Sequence, residues 1–131
     1  MRDGPIGAPS PGEVFMECNE LKVNGVSVLE IDDAGFVINS TQDLLDIVSD
    51  YSVKKIVLKR ENINPDFFDL RTGFAGEILQ KASNYKLHIG FIGSFDDIES
   101  TSMRDFIYES NRTKQIVFKS SLKEILRIFC R

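Results

Sequence analysis

The chain has 131 residues, the size of one ordinary domain. Hydrophobic residues make up 42% of it and charged residues 27%, a globular composition that excludes a wholly disordered chain. Twenty acidic residues against sixteen basic ones give a net charge of −4, which argues against a surface that follows nucleic-acid phosphates. No apolar run approaches the roughly 18 residues of a membrane span. We therefore expect neither nucleic acid nor a membrane as a partner.

The N-terminus and the cysteines set the expected domain limits and compartment. The first twelve residues contain three prolines and three glycines, which cannot sustain a helix or a central strand. We predict that residues 1–13 are a flexible leader or an expression remnant and that residues 14–131 form a single α/β domain. Cys18 and Cys130 lie far apart without a C-x-x-C motif, which is typical of reduced thiols in a cytoplasmic protein. The single histidine, His88, lies in an apolar run typical of a satisfied core residue, so we expect no metal and no cofactor.

The first half of the domain carries strong local signals. Residues 20–31 alternate between apolar and polar on both sides of Asn24-Gly25, a dipeptide that favours a tight hairpin turn. Ser40 and Asp43 have the spacing of a capping box, which predicts a first helix over 40–51. The β-branched run that follows predicts a core strand over 54–59.

The second half alternates helices and strands. Its predicted elements are a polar loop over 60–73, a helix over 74–85, a strand over 86–93, a helix over 101–111, a strand over 114–119 and a final helix that begins near Ser121. In the strand over 86–93, His88 and Gly90 share a face with Ile92, which predicts that helices cover this face less fully. The predicted core residues include Phe74, Ile78, Leu79, Ile89, Phe91, Phe106, Ile107, Val117 and Leu126.

The resulting order is ββαβαβαβα. Strands that alternate with helices form a mostly parallel sheet, here of about five strands with four helices. The first hairpin strand is expected to be antiparallel and at an edge.

Two long segments carry a resemblance to a known family. They read NPDFFDLRTGFAGEILQKASNYKLHIGFIGSF over 64–95 and RDFIYESNR over 104–112. Together with the NGV of the hairpin and TQDLLDI of the first helix, they resemble an uncharacterised bacterial family catalogued as domain of unknown function 4180. The resemblance extends from about residue 18 and implies no established reaction.

The element order also resembles the STAS domain, the fold of anti-sigma-factor antagonists and of transporter cytoplasmic tails. That resemblance implies a surface that binds other proteins. In many antagonists an Asp-Ser-Ser/Thr-Gly turn precedes the second helix, and its first serine is phosphorylated. The corresponding stretch here is Asp69-Leu70-Arg71-Thr72-Gly73, which is one residue longer and has Leu70 in the place of that serine.

A candidate site follows from where strands end. In an open parallel sheet, ligands and partners meet the loops beyond the carboxyl ends of the strands, here 60–72, 93–101 and 119–121. The first loop is long, which in a compact domain usually indicates function or disorder. With the start of the second helix, the candidate residues are Arg60, Glu61, Asp66, Asp69, Arg71, Thr72 and Gly73.

Three interpretations of that loop stay open. Asp66 and Asp69 could act as a general acid and base. Arg71, near a helix start, could hold an anion or a partner's carboxylate. Alternatively, Asp69 caps the second helix and Arg71 pairs with Asp66 or Glu61 on a solvated surface.

A second candidate surface consists of Glu109, Asn111 and Arg112 at the end of the third helix, at the opposite edge of the sheet. The alternative is an ordinary helix end, in which Asn111 adopts a left-handed conformation and Arg112 complements the helix dipole.

Taken together, these patterns predict a cytoplasmic, non-catalytic, STAS-like regulatory or protein-binding module. It would dock another protein, or a second copy of itself, through loop 60–72 and the start of the second helix. The alternative is a small hydrolase or a sensor of a small anionic ligand that uses Asp66, Asp69 and Arg71.

Overall fold

The structure is a computed structural model that describes residues 16–131, so the predicted leader, residues 1–13, lies outside the described residues. Within these described residues, five strands and four α-helices follow in the predicted order ββαβαβαβα. The strands are β1 (Cys18–Val23), β2 (Val26–Ile31), β3 (Lys55–Lys59), β4 (His88–Ile92) and β5 (Ile116–Lys119). The α-helices are α1 (Thr41–Tyr51), α2 (Phe74–Tyr85), α3 (Thr101–Thr113) and α4 (Leu122–Phe129).

The hairpin forms where the dipeptide predicted it. Asn24 and Gly25 have φ angles of 51° and 78°, the left-handed pair that a tight hairpin turn requires. β1 is therefore antiparallel to β2 and lies at the sheet edge, while every later pairing is parallel. The strands lie side by side in chain order, β1-β2-β3-β4-β5.

This strand order decides which face of the sheet each helix covers. Right-handed crossovers that all step in the same direction place their helices on one face. Accordingly, α1, α2 and α3 bury a large core against that face through residues such as Ile47, Ile78 and Met103. Among the described residues, only α4 covers the other face, and it packs Ile125 and Phe129 over a smaller cluster. The prediction that the His88 face is less covered is thus confirmed.

α4 lies unusually close to the sheet because β4 has a glycine beneath it. A Cβ atom added to Gly90 would lie 2.6 Å from Cγ2 and 2.9 Å from Cδ1 of Ile125. Nearby, the His88 ring packs edge-on against Phe129 with the centroids 5.5 Å apart. Its Nδ1 atom has no hydrogen-bond partner within residues 16–131, whereas the sequence led us to expect a satisfied histidine. Burial, and secondly the charge of Lys55, lower the pKa of His88 below its usual value.

The helix starts at Ser40 and Ser121 follow their capping signals, whereas the end of α3 does not. The Ser40 hydroxyl accepts from the Asp43 amide and the Ser121 hydroxyl accepts from the Glu124 amide, as predicted. α3 continues to Thr113, two residues beyond the predicted end, and its left-handed cap is Lys114 with φ 67°. Asn111 is therefore an ordinary helical residue, and its predicted role as the left-handed cap is wrong.

The predicted core is correct in the middle of the sheet and less so at its rim. Phe74, Ile78, Ile89, Phe91 and Val117 are buried. The remaining four are only half-buried and pack against the core from its border, namely Leu79, Phe106, Ile107 and Leu126. For the three on α3 and α4 the reason is that α3 covers the edge strand β5 and that α4, within residues 16–131, has no neighbouring helix on its face.

Within residues 16–131, no helix is long and apolar enough to cross a membrane. Cys18 is half-buried, Cys130 is buried, and neither forms a disulfide.

Candidate functional site

The connection between β3 and α2 is folded into three short 3-10 turns rather than an open loop. These turns are Arg60–Asn62, Pro65–Phe68 and Leu70–Thr72. Phe67 lies at the centre of the connection and is fully buried, with its ring centroid 5.1 Å from that of Phe91. This apolar anchor fixes the middle of the connection on the sheet core.

Arg60 joins this connection to the next loop at the carboxyl edge. Its Nη1 atom donates to the Ser94 carbonyl at 2.7 Å and to Asp97 Oδ1 at 2.6 Å. Its guanidinium carbon lies 4.9 Å from the Phe68 ring centroid and 5.5 Å from that of Phe95. The hydrogen bond from Arg60 lowers the pKa of Asp97. The guanidinium of Arg60 is therefore already occupied by contacts within the fold.

Asn62 has a structural role that is not evident from the sequence. Its side chain is buried and donates to the carbonyls of Asp33 and Phe36, both at 2.8 Å, while its Oδ1 accepts from the Lys59 amide at 2.9 Å. The amide thus ties the end of β3 to the segment that follows β2. An asparagine in a polar stretch gives no sequence signal that its side chain points inward.

Asp69 and Arg71 form the most exposed ion pair of the connection. Asp69 accepts from Arg71 Nε at 3.0 Å and from Nη2 at 2.9 Å, and the side chains are 42% and 91% exposed. These hydrogen bonds lower the pKa of Asp69 and raise that of Arg71. Arg71 is thus paired with Asp69 and not with Asp66 or Glu61. Asp69 also accepts from the Arg71 amide, so it caps the turn Leu70–Thr72 and not α2, contrary to expectation.

Thr72 makes the contacts at the start of α2. Its hydroxyl lies 2.7 Å from the Asp66 carbonyl and 2.8 Å from the Asp69 carbonyl, both acceptors, and accepts from the Phe74 amide at 3.2 Å. Gly73 follows with φ 81°, a conformation that a residue with a side chain rarely adopts. The chain can therefore turn sharply from the last 3-10 turn into α2.

Two acidic side chains of the connection carry no ion pair. Glu61 and Asp66 are both exposed, and neither is paired within residues 16–131. The structure therefore places six of the seven predicted residues together along one connection, while the side chain of Arg60 points toward loop 93–101.

The described residues contain no group of three or more His, Cys, Asp or Glu residues placed to hold a metal ion.

The second predicted surface is partly used by the fold itself. Glu109 and Arg112 form an exposed ion pair one turn apart, with 3.1 Å between Oε1 and Nη1. The Oδ1 atom of Asn111 accepts from the Phe118 amide at 2.8 Å, on the outer edge of β5. Asn111 thus satisfies a strand donor that the end of the sheet would otherwise leave open.

A cavity of about 580 Å³ opens where the loops after β4 and β5 meet. Phe95, Ile107 and Phe118 give it apolar walls, and Asp96 and Lys119 place opposite charges at it. The carboxyl edge therefore contains both the predicted connection and a neighbouring cavity of mixed charge.

The chain was compared with known proteins by family, by sequence and by structure. No curated protein and no solved structure matched it. The family described as a domain of unknown function (DUF4180) matches residues 23–128, which span the hairpin turn, β2, all three crossovers and nearly all of α4. The chain therefore belongs to this family.

Proposed function

We propose that this protein is a non-catalytic module that binds another protein through its exposed 60–72 surface. This surface consists of Glu61, Asp66, Asp69, Arg71 and Thr72. The observation that carries the proposal is that these exposed polar side chains lie on a backbone that is fixed by buried and hydrogen-bonded residues of the same connection. Long connections in compact domains usually serve a function or are disordered, and this one has defined internal contacts.

The anchors of the surface support a preformed binding site. The buried Phe67 ring anchors its centre. Hydrogen bonds from the Asn62 side chain hold its start, and the hydrogen bond from the Thr72 hydroxyl to the Asp66 carbonyl holds its end. A surface that is already ordered loses less conformational entropy when a partner binds. The 60–72 surface therefore has the rigidity that a docking site needs.

Catalysis by the same residues has less support. A general acid and base need carboxyl pKa values that are pushed apart, with one of them raised. The pKa of Asp69 is instead lowered by its hydrogen bonds to Arg71, so its carboxylate is ionised and already paired at neutral pH. The hydrolase alternative that uses Asp66, Asp69 and Arg71 is therefore the weaker candidate.

The sheet topology also favours a protein over a small ligand at this edge. Open α/β sheets bind small molecules in the crevice where the strand order reverses. The order β1-β2-β3-β4-β5 never reverses, so this sheet has no such crevice. An exposed surface on an anchored connection is better suited to a macromolecule.

The charges indicate the chemistry of the partner. Asp69 neutralises Arg71, which leaves Glu61 and Asp66 as the unpaired charges of the surface. A partner that presents lysine or arginine side chains complements this surface.

The regulatory, STAS-like character and the cytoplasmic location are part of the same proposal. They are supported by the element order, by the turn through Thr72 and Gly73 into α2, and by two cysteines outside any disulfide.

The test uses the full chain as an affinity bait, followed by calorimetry with the partner it recovers. The double variant Glu61→Lys, Asp66→Lys should weaken binding by about tenfold or more, because it reverses both unpaired charges. Asp105→Lys, an equally exposed acidic residue on α3, is the matched control and should bind like the wild type. Equal affinity of the double variant would refute the docking site.

Two further measurements complete the test. Size-exclusion chromatography of the wild type and of the double variant shows whether the partner is a second copy of the chain. Turnover of a substrate that is lost in Asp69→Asn would instead establish the hydrolase alternative.

A further inference from the structure

A groove of about 520 Å³ runs between α4 and the β1–β2 hairpin, on the face of the sheet opposite α1, α2 and α3. Its apolar walls include Val23 of β1 and Leu122 and Leu126 of α4. All three side chains are only half-buried, and they pack on the smaller core cluster from its border. Within residues 16–131, no further element covers them. Within the described part of the chain, the groove therefore leaves part of an apolar core uncovered.

One end of the groove is closed by a specific contact. The Asn24 side-chain amide donates to the Cys130 carbonyl at 2.7 Å, which ties the hairpin turn to the end of α4. Both residues line the groove. Because the hairpin and the helix are joined in this way, the groove is formed without any ligand, as small-molecule sites usually are.

The charged side chains that line the groove are all basic. Lys123, Arg127 and Arg131 follow each other at four-residue spacing, and all three are exposed. None of them takes part in an ion pair within residues 16–131, and no acidic residue lines the groove. The chain as a whole carries a net charge of −4, so this concentration of positive charge is local.

We infer that this groove binds an amphiphilic anion, with an aliphatic or aromatic body against the apolar walls and an acidic head group beside the three cations. The volume lies within the roughly 300–1,000 Å³ of small-molecule sites. The positive rim complements an anion, whereas the cavity at the carboxyl edge carries both Asp96 and Lys119 and favours neither sign. The inference is independent of the 60–72 surface, which lies on other elements.

Calorimetry with the full chain and straight-chain carboxylates tests the inference. Octanoate, decanoate and dodecanoate should bind with affinity that rises about three- to fourfold for each methylene that enters the groove. Decyltrimethylammonium has a similar apolar chain and the opposite charge, and it should bind at least about tenfold more weakly.

Variants locate the site. The triple variant Lys123→Gln, Arg127→Gln, Arg131→Gln should weaken decanoate binding by about tenfold or more and remove its dependence on salt. Arg104→Gln removes an equally exposed arginine from α3, on the other face of the sheet, and should leave binding unchanged. Chemical-shift changes on adding decanoate should concentrate at Val23, Leu122 and Leu126.

The two sources of such an anion are distinguished with vesicles that contain phosphatidylglycerol. Binding to free decanoate without co-sedimentation with vesicles identifies a free amphiphile as the ligand. Co-sedimentation that the triple variant loses, together with decanoate binding, identifies a lipid head group.

Three results would overturn the inference. The first is the absence of saturable decanoate binding, and the second is equal binding by the triple variant. In the second case Arg127 and Arg131 serve only to complement the negative end of the α4 dipole, and the triple variant should lower thermal stability while binding stays constant. The third is a set of chemical-shift changes confined to Ile107 and Phe118, which would place the ligand in the other cavity.

Discussion

Replacing Gly90 with alanine measures how closely α4 packs on the sheet. The new Cβ atom would lie 2.6 Å, 2.9 Å and 3.3 Å from three carbon atoms of Ile125. Carbon atoms in contact normally lie about 3.5–4.0 Å apart, so relief requires α4 to move outward by about 1 Å. Overpacking of this kind costs about 1–3 kcal/mol of unfolding free energy.

The assay is urea unfolding of a double-mutant cycle. Ile125→Ala alone removes the atoms that Gly90→Ala would meet, and it should cost about 2–5 kcal/mol because it leaves a cavity. In the double variant the new methyl group at residue 90 fills part of that cavity. The double variant should therefore be less destabilised than the sum of the single variants, by about 1–3 kcal/mol.

The chain provides a control with the same chemical change and the opposite expected sign. Gly76 lies on the exposed side of α2, and a Cβ atom there would meet nothing within 4 Å. Gly76→Ala should stabilise the protein by about 0.5–1 kcal/mol, because alanine restricts the unfolded chain and favours the helix. A Gly90→Ala protein as stable as the wild type, or strictly additive effects in the cycle, would refute the close packing of α4.

Three further predictions concern single residues. Asn111→Ala leaves the Phe118 amide unpaired and should cost about 1–3 kcal/mol in urea unfolding, whereas Asn111→Asp keeps the acceptor and most of the stability. The pKa of His88 lies below 6.5 in the folded protein. As the pH falls, the imidazole of the unfolded chain is therefore protonated before that of the folded protein. The free energy of unfolding should thus fall as the pH drops below about 6.5, and it should fall less in His88→Gln. Arg71→Gln should raise the pKa of Asp69 toward its ordinary value in an NMR titration, and an unchanged pKa would contradict the pairing.

The elements that the sequence predicts correctly are those with a local signal. The turn at Asn24 and Gly25 requires positive φ, and the serines that precede α1 and α4 can satisfy amides only at a helix start. Such signals act over two to four residues, so a single sequence is sufficient to reveal them. The parallel order of the later strands then follows from the crossovers between them.

The candidate site was harder to predict because its contacts are not local. Asn62 and Arg60 both have polar side chains in a polar stretch of sequence. The Asn62 side chain is nevertheless buried and donates to the Asp33 and Phe36 carbonyls. The Arg60 side chain donates to Asp97, which lies 37 residues further along the chain. The interpretation in which Arg71 pairs with Asp66 or Glu61 is wrong, and the sequence could not decide the partner because three acidic residues lie within reach along the chain. Backbone geometry decides among them, and it brings Asp69 closest.

The agreement between strand order and chain order has a consequence for how the protein is made. Each new strand pairs with the strand synthesised just before it, so the sheet can grow in step with synthesis at the ribosome. The large core on one face is complete when β5 has paired. The other face, with Val28, Val57 and Val117, stays bare until the last ten residues supply α4. A chain that stops before Leu122 would thus keep its paired strands and expose an apolar strip, which makes it a substrate for chaperones and proteases.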